Sequence, residues 1–179
     1  MLSSVRNNWQ MQRLTLGSAT PAEVDDVLAV LDEAAAWLRA SGVEQWPDRF
    51  EPAWVAPAID RGETWLARLD GAVAGTITLD WEDPLWSDRE GPAGYVHRMA
   101  IRRSATGLGA ALLDWAAATS QALGFPYLRL DCVASNDRLR TYYESRGFQH
   151  QDDVATGGPP GQRTTDGPKT HLSRYQLPL

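Results

Sequence analysis

Residues 95–109 constrain this chain more than any other stretch. Tyr95-Val96-His97-Arg98-Met99-Ala100-Ile101 reads as an alternating strand, and after a short polar link Gly107-Leu108-Gly109 opens a helix. Leu108, Leu112, Trp115, Thr119 and Ala122 recur along that helix at the spacing of one face. A helix N-terminus presents free backbone N–H groups and a partial positive charge, and glycines there let an anionic group approach the backbone. Leu112 stands where a dinucleotide-binding fingerprint takes a third small residue, and no Gly-Lys-Ser/Thr follows, which sets aside both that fingerprint and a P-loop. Alone, a G-x-G says little about phosphate binding.

A second cluster follows another strand, Tyr127–Val133. It runs Asn136-Asp137-Arg138-Leu139-Arg140-Thr141-Tyr142-Tyr143-Glu144-Ser145-Arg146-Gly147-Phe148. Asn136, then Tyr143-Glu144, then Gly147-Phe148 resembles the second half of the acetyl-CoA fold of the GNAT superfamily of N-acetyltransferases. With Ile101…Gly107-x-Gly109-x-x-Leu112-Leu113, the resemblance is close from residue 94 to about residue 150 and extends through element order to the whole chain. It implies a mixed α/β (α+β) fold with a mostly antiparallel sheet flanked by helices on both faces. It also implies acetyl-CoA as cofactor, and direct attack of a small molecule's primary amine on the thioester. A homodimer is compatible with it.

The resemblance also assigns roles residue by residue. Backbone groups of Met99, Ala100 and Ile101 would run beside pantetheine, with the Met99 N–H facing the thioester oxygen. Arg102, Arg103, Ser104, Ala105, Thr106, Gly107, Leu108, Gly109 and Ala110 would surround the pyrophosphate. Asn136, Leu139, Tyr142 and Tyr143 would complete the cofactor site, with Tyr143 protonating the thiolate. A tyrosine hydroxyl, with an ordinary pKa near 10, stays protonated at neutral pH and suits that task. His97 matches the second member of a His-x-His pair in some arylalkylamine acetyltransferases, and Tyr95 stands where the first would be. By the period of two, Tyr95, His97, Met99 and Ile101 share one face, and a histidine there titrates in the right range to take the amine proton. Ser104 replaces the family's usual Arg or Gln, and the link from Ile101 to Gly107 is about two residues short. Arg102 or Arg103 is then the expected source of the missing charge.

Composition narrows the partners. With 179 residues the chain suits one domain, residues 11–179, behind a frayed Met1–Gln10. Seventeen Lys+Arg against 23 Asp+Glu give a net charge of −6, which argues against nucleic acid and membrane surfaces as partners. Charge is nevertheless sorted: Arg102, Arg103, Arg138, Arg140 and Arg146 flank the two motifs, whereas Glu82, Asp83, Asp88 and Glu90 crowd one loop. A basic rim for a phosphate-rich cofactor and an acidic mouth for a cationic substrate would look like this, as would ordinary solvated charge. Cys132 is the only cysteine, so no disulfide framework exists and a reducing, cytoplasmic home is expected. His97, His150 and His171 show no metal-ligand spacing, so no metal is expected. No apolar run of signal or membrane-spanning length opens the chain.

The remaining elements follow from local signals. Met11–Leu16 alternates as a strand. Thr20-Pro21-Ala22-Glu23 is a capping box with Pro at the first helical position, opening a helix with stripe Val24, Val27, Leu28, Leu31, Ala35 and Leu38 that stops before Gly42. Glu51–Arg61 reads as a shorter helix. Glu63–Leu69 and Ala72–Trp81 are strands around Asp70-Gly71, a hairpin turn. A strand near Phe148–Val154, a Gly/Pro-rich loop at 156–168 and a strand Thr170–Leu177 complete the order. Trp46, after the first helix, and Trp86, in the acidic loop, fall where an acceptor pocket is expected, together with Tyr95 and His97.

Three functions fit these residues. The first is a small-molecule N-acetyltransferase. A non-catalytic acyl-CoA-binding module would need the 104–110 cradle and Asn136 but neither Tyr143 nor His97. A protein or peptide N-acetyltransferase would need an open groove rather than long covering loops.

Overall fold

The computed structural model describes residues 13–158 and 167–179. The expected frayed terminus, the first two residues of the Met11–Leu16 strand and residues 159–166 of the Gly/Pro segment lie outside them. Seven strands form one sheet: β1 (Leu14–Ser18), β2 (Thr64–Leu69), β3 (Ala72–Asp80), β4 (Ala93–Ile101), β5 (Tyr127–Val133), β6 (Gln149–Gly157) and β7 (Lys169–Pro178), in spatial order β1-β2-β3-β4-β5-β7-β6. Every neighbouring pair is antiparallel except β4 and β5, which run parallel. The β2–β3 turn has Asp70 at φ 49° and Gly71 at φ 86°. Two successive positive values fit the twist of a hairpin, as this dipeptide predicts.

Helices α1 (Val24–Ala40) and α2 (Pro52–Asp60) cover one face, and α3 (Leu108–Ala122) and α4 (Asp137–Ser145) the other. The Glu23 carboxylate accepts the Thr20 N–H at 2.9 Å, the reciprocal bond of a capping box, ahead of α1. On that face Val27, Val30, Leu31 and Ala35 meet Phe50, Val55, Ile59, Leu66 and Ala100. On the opposite face Leu108, Leu112, Leu113 and Ala116 meet Ile77, Leu79, Val96, Leu128, Leu130, Tyr143 and Tyr175. The α3 stripe is rotated from its expected centre: Leu113, Ala116 and Ser120 are buried, Trp115 rests on Trp65, and Ala122 is exposed.

Two features of β4 build the site. Its ladder to β5 ends at Val96↔Leu130 although β4 continues to Ile101 and β5 to Val133, so the two strands part from residue 97 onward. Across from β3, His97 pairs with Thr78 and Ala100 with Thr76. Arg98 and Met99 therefore oppose Ile77 alone, a β-bulge with Arg98 at φ 45°. The extra residue inverts the alternation. Val96 belongs to the α3-side core and Ala100 to the α1-side core, four residues apart yet on opposite faces. Met99 and Ile101 pack with Val96, whereas Tyr95 is buried with Trp86 and Ala93. The expected single face shared by Tyr95, His97, Met99 and Ile101 is thus broken, because strict period two fails across a bulge.

Candidate active site

A cleft of about 860 Å³ opens where β4 and β5 part. One wall is the unbroken run of residues from Val96 to Arg103; the other carries Asp131, Val133, Asn136, Leu139, Tyr142 and Tyr143. The end of α1 and the loop after it, through Trp37, Gln45 and Trp46, close one side.

Charge is divided between two ends. At the α3 end, Thr106 (φ −51°, ψ 131°) and Gly107 (φ 99°, ψ −13°) have the dihedrals of a type II turn that leads directly into α3. A positive φ at that corner is the reason for glycine, and the turn delivers unpaired helix N–H groups next to the cleft. Thr106, Gly107 and Gly109 line it. Arg103 stacks on Trp37 at 4.3 Å and Arg138 on the same ring at 5.3 Å, so two cations from different elements converge there. Arg102, expected as a compensating charge, is committed elsewhere: it donates to Val73 O and pairs with Glu33 at 2.7 Å. Arg140 and Arg146 also turn away, to the Tyr175 hydroxyl and to Asp114.

The other end is acidic. Asp80, Glu82, Asp83, His97 and Asp131 line it. His97 Nε2 lies 3.5 Å from Asp80 Oδ2 and 3.5 Å from Asp83 Oδ2, and Asp83, His97 and Asp131 each bring one polar atom within 4.8 Å of the others. Burial first, then the neighbouring Glu63 carboxylate as an acceptor and as a negative charge, push the Asp80 carboxyl up to about 7, while Arg61 pulls the other way. Glu63 is held below its ordinary value, mainly by Arg61.

Tyr143 is buried at the cleft wall among Tyr142, Phe148 and Tyr175. Burial raises its hydroxyl pKa well above the usual 10, so it carries its proton at any physiological pH. Asn136 Oδ1 caps α4 by accepting the Leu139 N–H, and its Nδ2 donates to Gln45 Oε1 at 3.1 Å. Gln45 Oε1 also accepts the Val133 N–H, tying the loop after α1 to the parted end of β5. Burial pushes the Cys132 thiol up to about 12, which leaves it inert.

The fold thus brings Met99, Ala100, Ile101, Arg103, Thr106, Gly107, Gly109, Asn136, Leu139, Tyr142, Tyr143, Trp46 and His97 to one cleft, with Arg102 at its edge. Ala105 and Leu108 are core residues beneath the turn, Ser104 is exposed, and none of the three lines the cleft; neither does Ala110. Trp86 and Tyr95 are corrections to the expected acceptor pocket. Trp86 is 2% exposed, its ring between the guanidiniums of Arg129 at 5.2 Å and Arg174 at 5.0 Å. The Tyr95 hydroxyl accepts from Arg129 Nη1. Both are buried away from the cleft, where two arginines tie down the loop after β3: Arg174 donates to Leu85 O and to Asp88 and Asp152, and Arg129 to Glu90 O. Sequence reasoning missed Trp37, Trp54, Asp80 and Asp131. A charge closing or interrupting an apolar strand, as in Thr-Ile-Thr-Leu-Asp80 and Leu-Arg-Leu-Asp131, is the signal that would have found the last two.

Among the described residues no helix is long and apolar enough to cross a membrane. The model of the acetyltransferase (GNAT) family matches residues 31–148. An uncharacterized N-acetyltransferase of Bacillus subtilis is 30% identical over 156 residues, 78% of this chain and 85% of that protein. A GNAT-family acetyltransferase structure from Listeria monocytogenes superposes with a TM-score of 0.72 at 25% identity, covering 93% of this chain and 95% of the other. A putative acetyltransferase from Salmonella typhimurium, solved with its cofactor acetyl-CoA, has a TM-score of 0.65 at 15% identity over 93% and 94% of the two chains.

Proposed function

We propose, from the premise that the chain belongs to the GNAT family of N-acetyltransferases, that it moves the acetyl group of acetyl-CoA to a primary amine of a small molecule by direct attack. The observation that carries this reading is the parting of β4 from β5, which leaves a strand edge, a free helix N-terminus and an acidic pocket along one cleft. Acetyl-CoA supplies an activated acyl thioester. An extended polar chain can take the place of the missing β5 neighbour along Met99–Ile101, and the Thr106–Gly107 turn with Arg103 and Arg138 faces the phosphates. The bulge at Arg98–Met99 interrupts the regular ladder to β3, and the Met99 N–H beside it is the donor assigned to the thioester oxygen. Tyr143 holds a proton for the departing sulfur, and His97, flanked by carboxylates, takes one from the amine. The carboxylates of Asp80, Asp83 and Asp131 favour a cationic acceptor over an anionic one. The reduced Cys132 suits a cytoplasmic setting.

Thiol release from acetyl-CoA, measured against alkylamines, arylamines and peptide N-termini, tests the reading. Amine-dependent release with kcat/KM higher for small cationic amines than for peptides is expected. Preference for peptides would move the assignment to a protein acetyltransferase.

A further inference from the structure

The cleft leaves one chemical requirement unassigned. An alkylammonium that becomes an amide loses two protons: the sulfur takes one as the C–S bond breaks, and the other must reach solvent. His97 lies on the cleft wall with only 19% of its side chain exposed, so its proton needs a path.

We propose that Asp80 and Glu63 form that path, taking the proton from His97 and releasing it to solvent at the Glu63–Arg61 ion pair. The proposal rests on the acetyl-transfer reading above. Three contacts connect the cleft to the surface. His97 Nε2 is 3.5 Å from Asp80 Oδ2. Asp80 and Glu63 flank the Leu79–Glu63 and Thr64–Thr78 rungs of the β2–β3 ladder, and each carboxyl shifts the titration of the other. Arg61 Nη2 is 2.7 Å from Glu63 Oε2, and the Arg61 side chain is 57% exposed. The backbone fixes the middle of this line: Leu79 N donates to Glu63 O at 2.9 Å, and the next rung joins the Thr64 and Thr78 hydroxyls at 2.9 Å. Asp80 Oδ1 is buried and accepts from no donor among the described residues.

Each transfer balances. An amine N–H bond breaks as an imidazole N–H forms on His97, the imidazolium passes a proton to the Asp80 carboxylate, and Asp80 passes one to Glu63. Water takes it from Glu63. The groups facing Asp80 are Glu63 and Arg61 from the entry to β2, His97 from β4, and Asp83 from the loop after β3. Asp80 must be ionised to receive a proton, so activity falls as pH drops through its titration. Glu63 raises that titration and Arg61 lowers it.

The test is the acidic limb of the kcat/KM–pH profile, measured with two amines of different basicity so that the enzyme's limb is separated from the substrate's. Glu63→Gln should move the limb to lower pH by roughly one unit and, because Gln cannot take the proton from Asp80, lower kcat/KM on the plateau roughly tenfold. Arg61→Gln, a substitution of a mostly exposed side chain, should move it to higher pH. Opposite shifts from two neighbours are not the result of a loosened structure. Asp80→Asn should remove this limb and lower kcat/KM roughly tenfold or more, with acetyl-CoA binding by calorimetry retained. Amine turnover in the wild type with a limb that stays in place in both Glu63→Gln and Arg61→Gln would overturn the relay alone. A wild type with no amine-dependent thiol release would overturn the acetyl-transfer reading and the relay with it.

Discussion

His97 and Asp83 meet across the mouth of the cleft, with Nε2 3.5 Å from Oδ2 and the Asp83 side chain 2% exposed. One residue comes from the bulged strand and the other from a turn in which Asp83 accepts the Leu85 N–H. A carboxylate at that distance orients the ring.

His97→Gln should therefore lower kcat/KM by ~10²-fold, the scale of a lost general base, with acetyl-CoA affinity retained. The remaining acidic limb should move, because Gln removes the imidazole that lies beside Asp80 and whose charge acts on Glu63. An unchanged rate and profile would make His97 a packing residue.

Tyr143→Phe should reduce turnover by ~10²-fold while leaving acetyl-CoA affinity nearly intact. The ring contacts to Tyr142, Phe148 and Tyr175 survive the change, so folding is preserved. Normal turnover with an amine whose chemical step limits the rate would place the acid elsewhere.

At the cradle, Gly107→Ala and Gly107→Glu separate strain from charge. Both force an L side chain to φ near 99°, costing about 1–2 kcal/mol of stability. Only Glu adds a negative charge, and calorimetry should find acetyl-CoA binding weaker than in the Ala variant by about tenfold, or ~1.4 kcal/mol. Equal affinities would move the phosphates away from this turn. Charge removal at Arg103 or Arg138 should weaken binding, since neither appears in an ion pair as close as that of Arg102 with Glu33.

The Asp83 loop depends on a buried cation. Arg174, 1% exposed in its side chain, bonds Leu85 O, Asp88 and Asp152. Arg174→Leu should cost about 3 kcal/mol or more in stability, the scale for breaking a buried pair, and should lower acetyl transfer by releasing Asp83. Its pH signature is specific. Arg174 first, then Arg89, holds the Asp152 carboxyl down to about 2, below the 3.8 of the free group. That stabilisation is present above pH ~4 and is lost as pH falls toward 2. Thermal unfolding should therefore show a Tm drop between pH 4 and pH 2 that is smaller in Arg174→Leu. An equal drop would assign the acid sensitivity to other carboxylates.

Much of this arrangement is legible in the sequence. The capping box at Thr20–Glu23, the Asp70-Gly71 turn, and the strand–loop–helix ending in Gly107 are local signals, and each appears where its chemistry predicts. The bulge at Arg98 is not legible, because one extra residue changes no composition and shows only against the β3 partner. It is what separates Tyr95 from Met99. Trp86 misled for a related reason: an aromatic in an acidic loop reads as exposed, and only Arg129 and Arg174, from strands far along the chain, make it a buried ring. Asp80, Asp131 and Glu63 acquire meaning only when three strands bring them around His97. Pairwise registry, which the chain does not state locally, sets those sites.

If this cleft joins an acetyl group to an amine, the products can be counted. A single-turnover reaction of wild-type enzyme with acetyl-CoA and a cationic alkylamine, followed by mass spectrometry and thiol titration, tests it most directly. One acetylated amine per free thiol is expected, formed only when the amine is present and slowed in His97→Gln and Tyr143→Phe. Acetyl-CoA that binds yet stays intact with every amine offered, or thiol released at the same rate without amine, would contradict it.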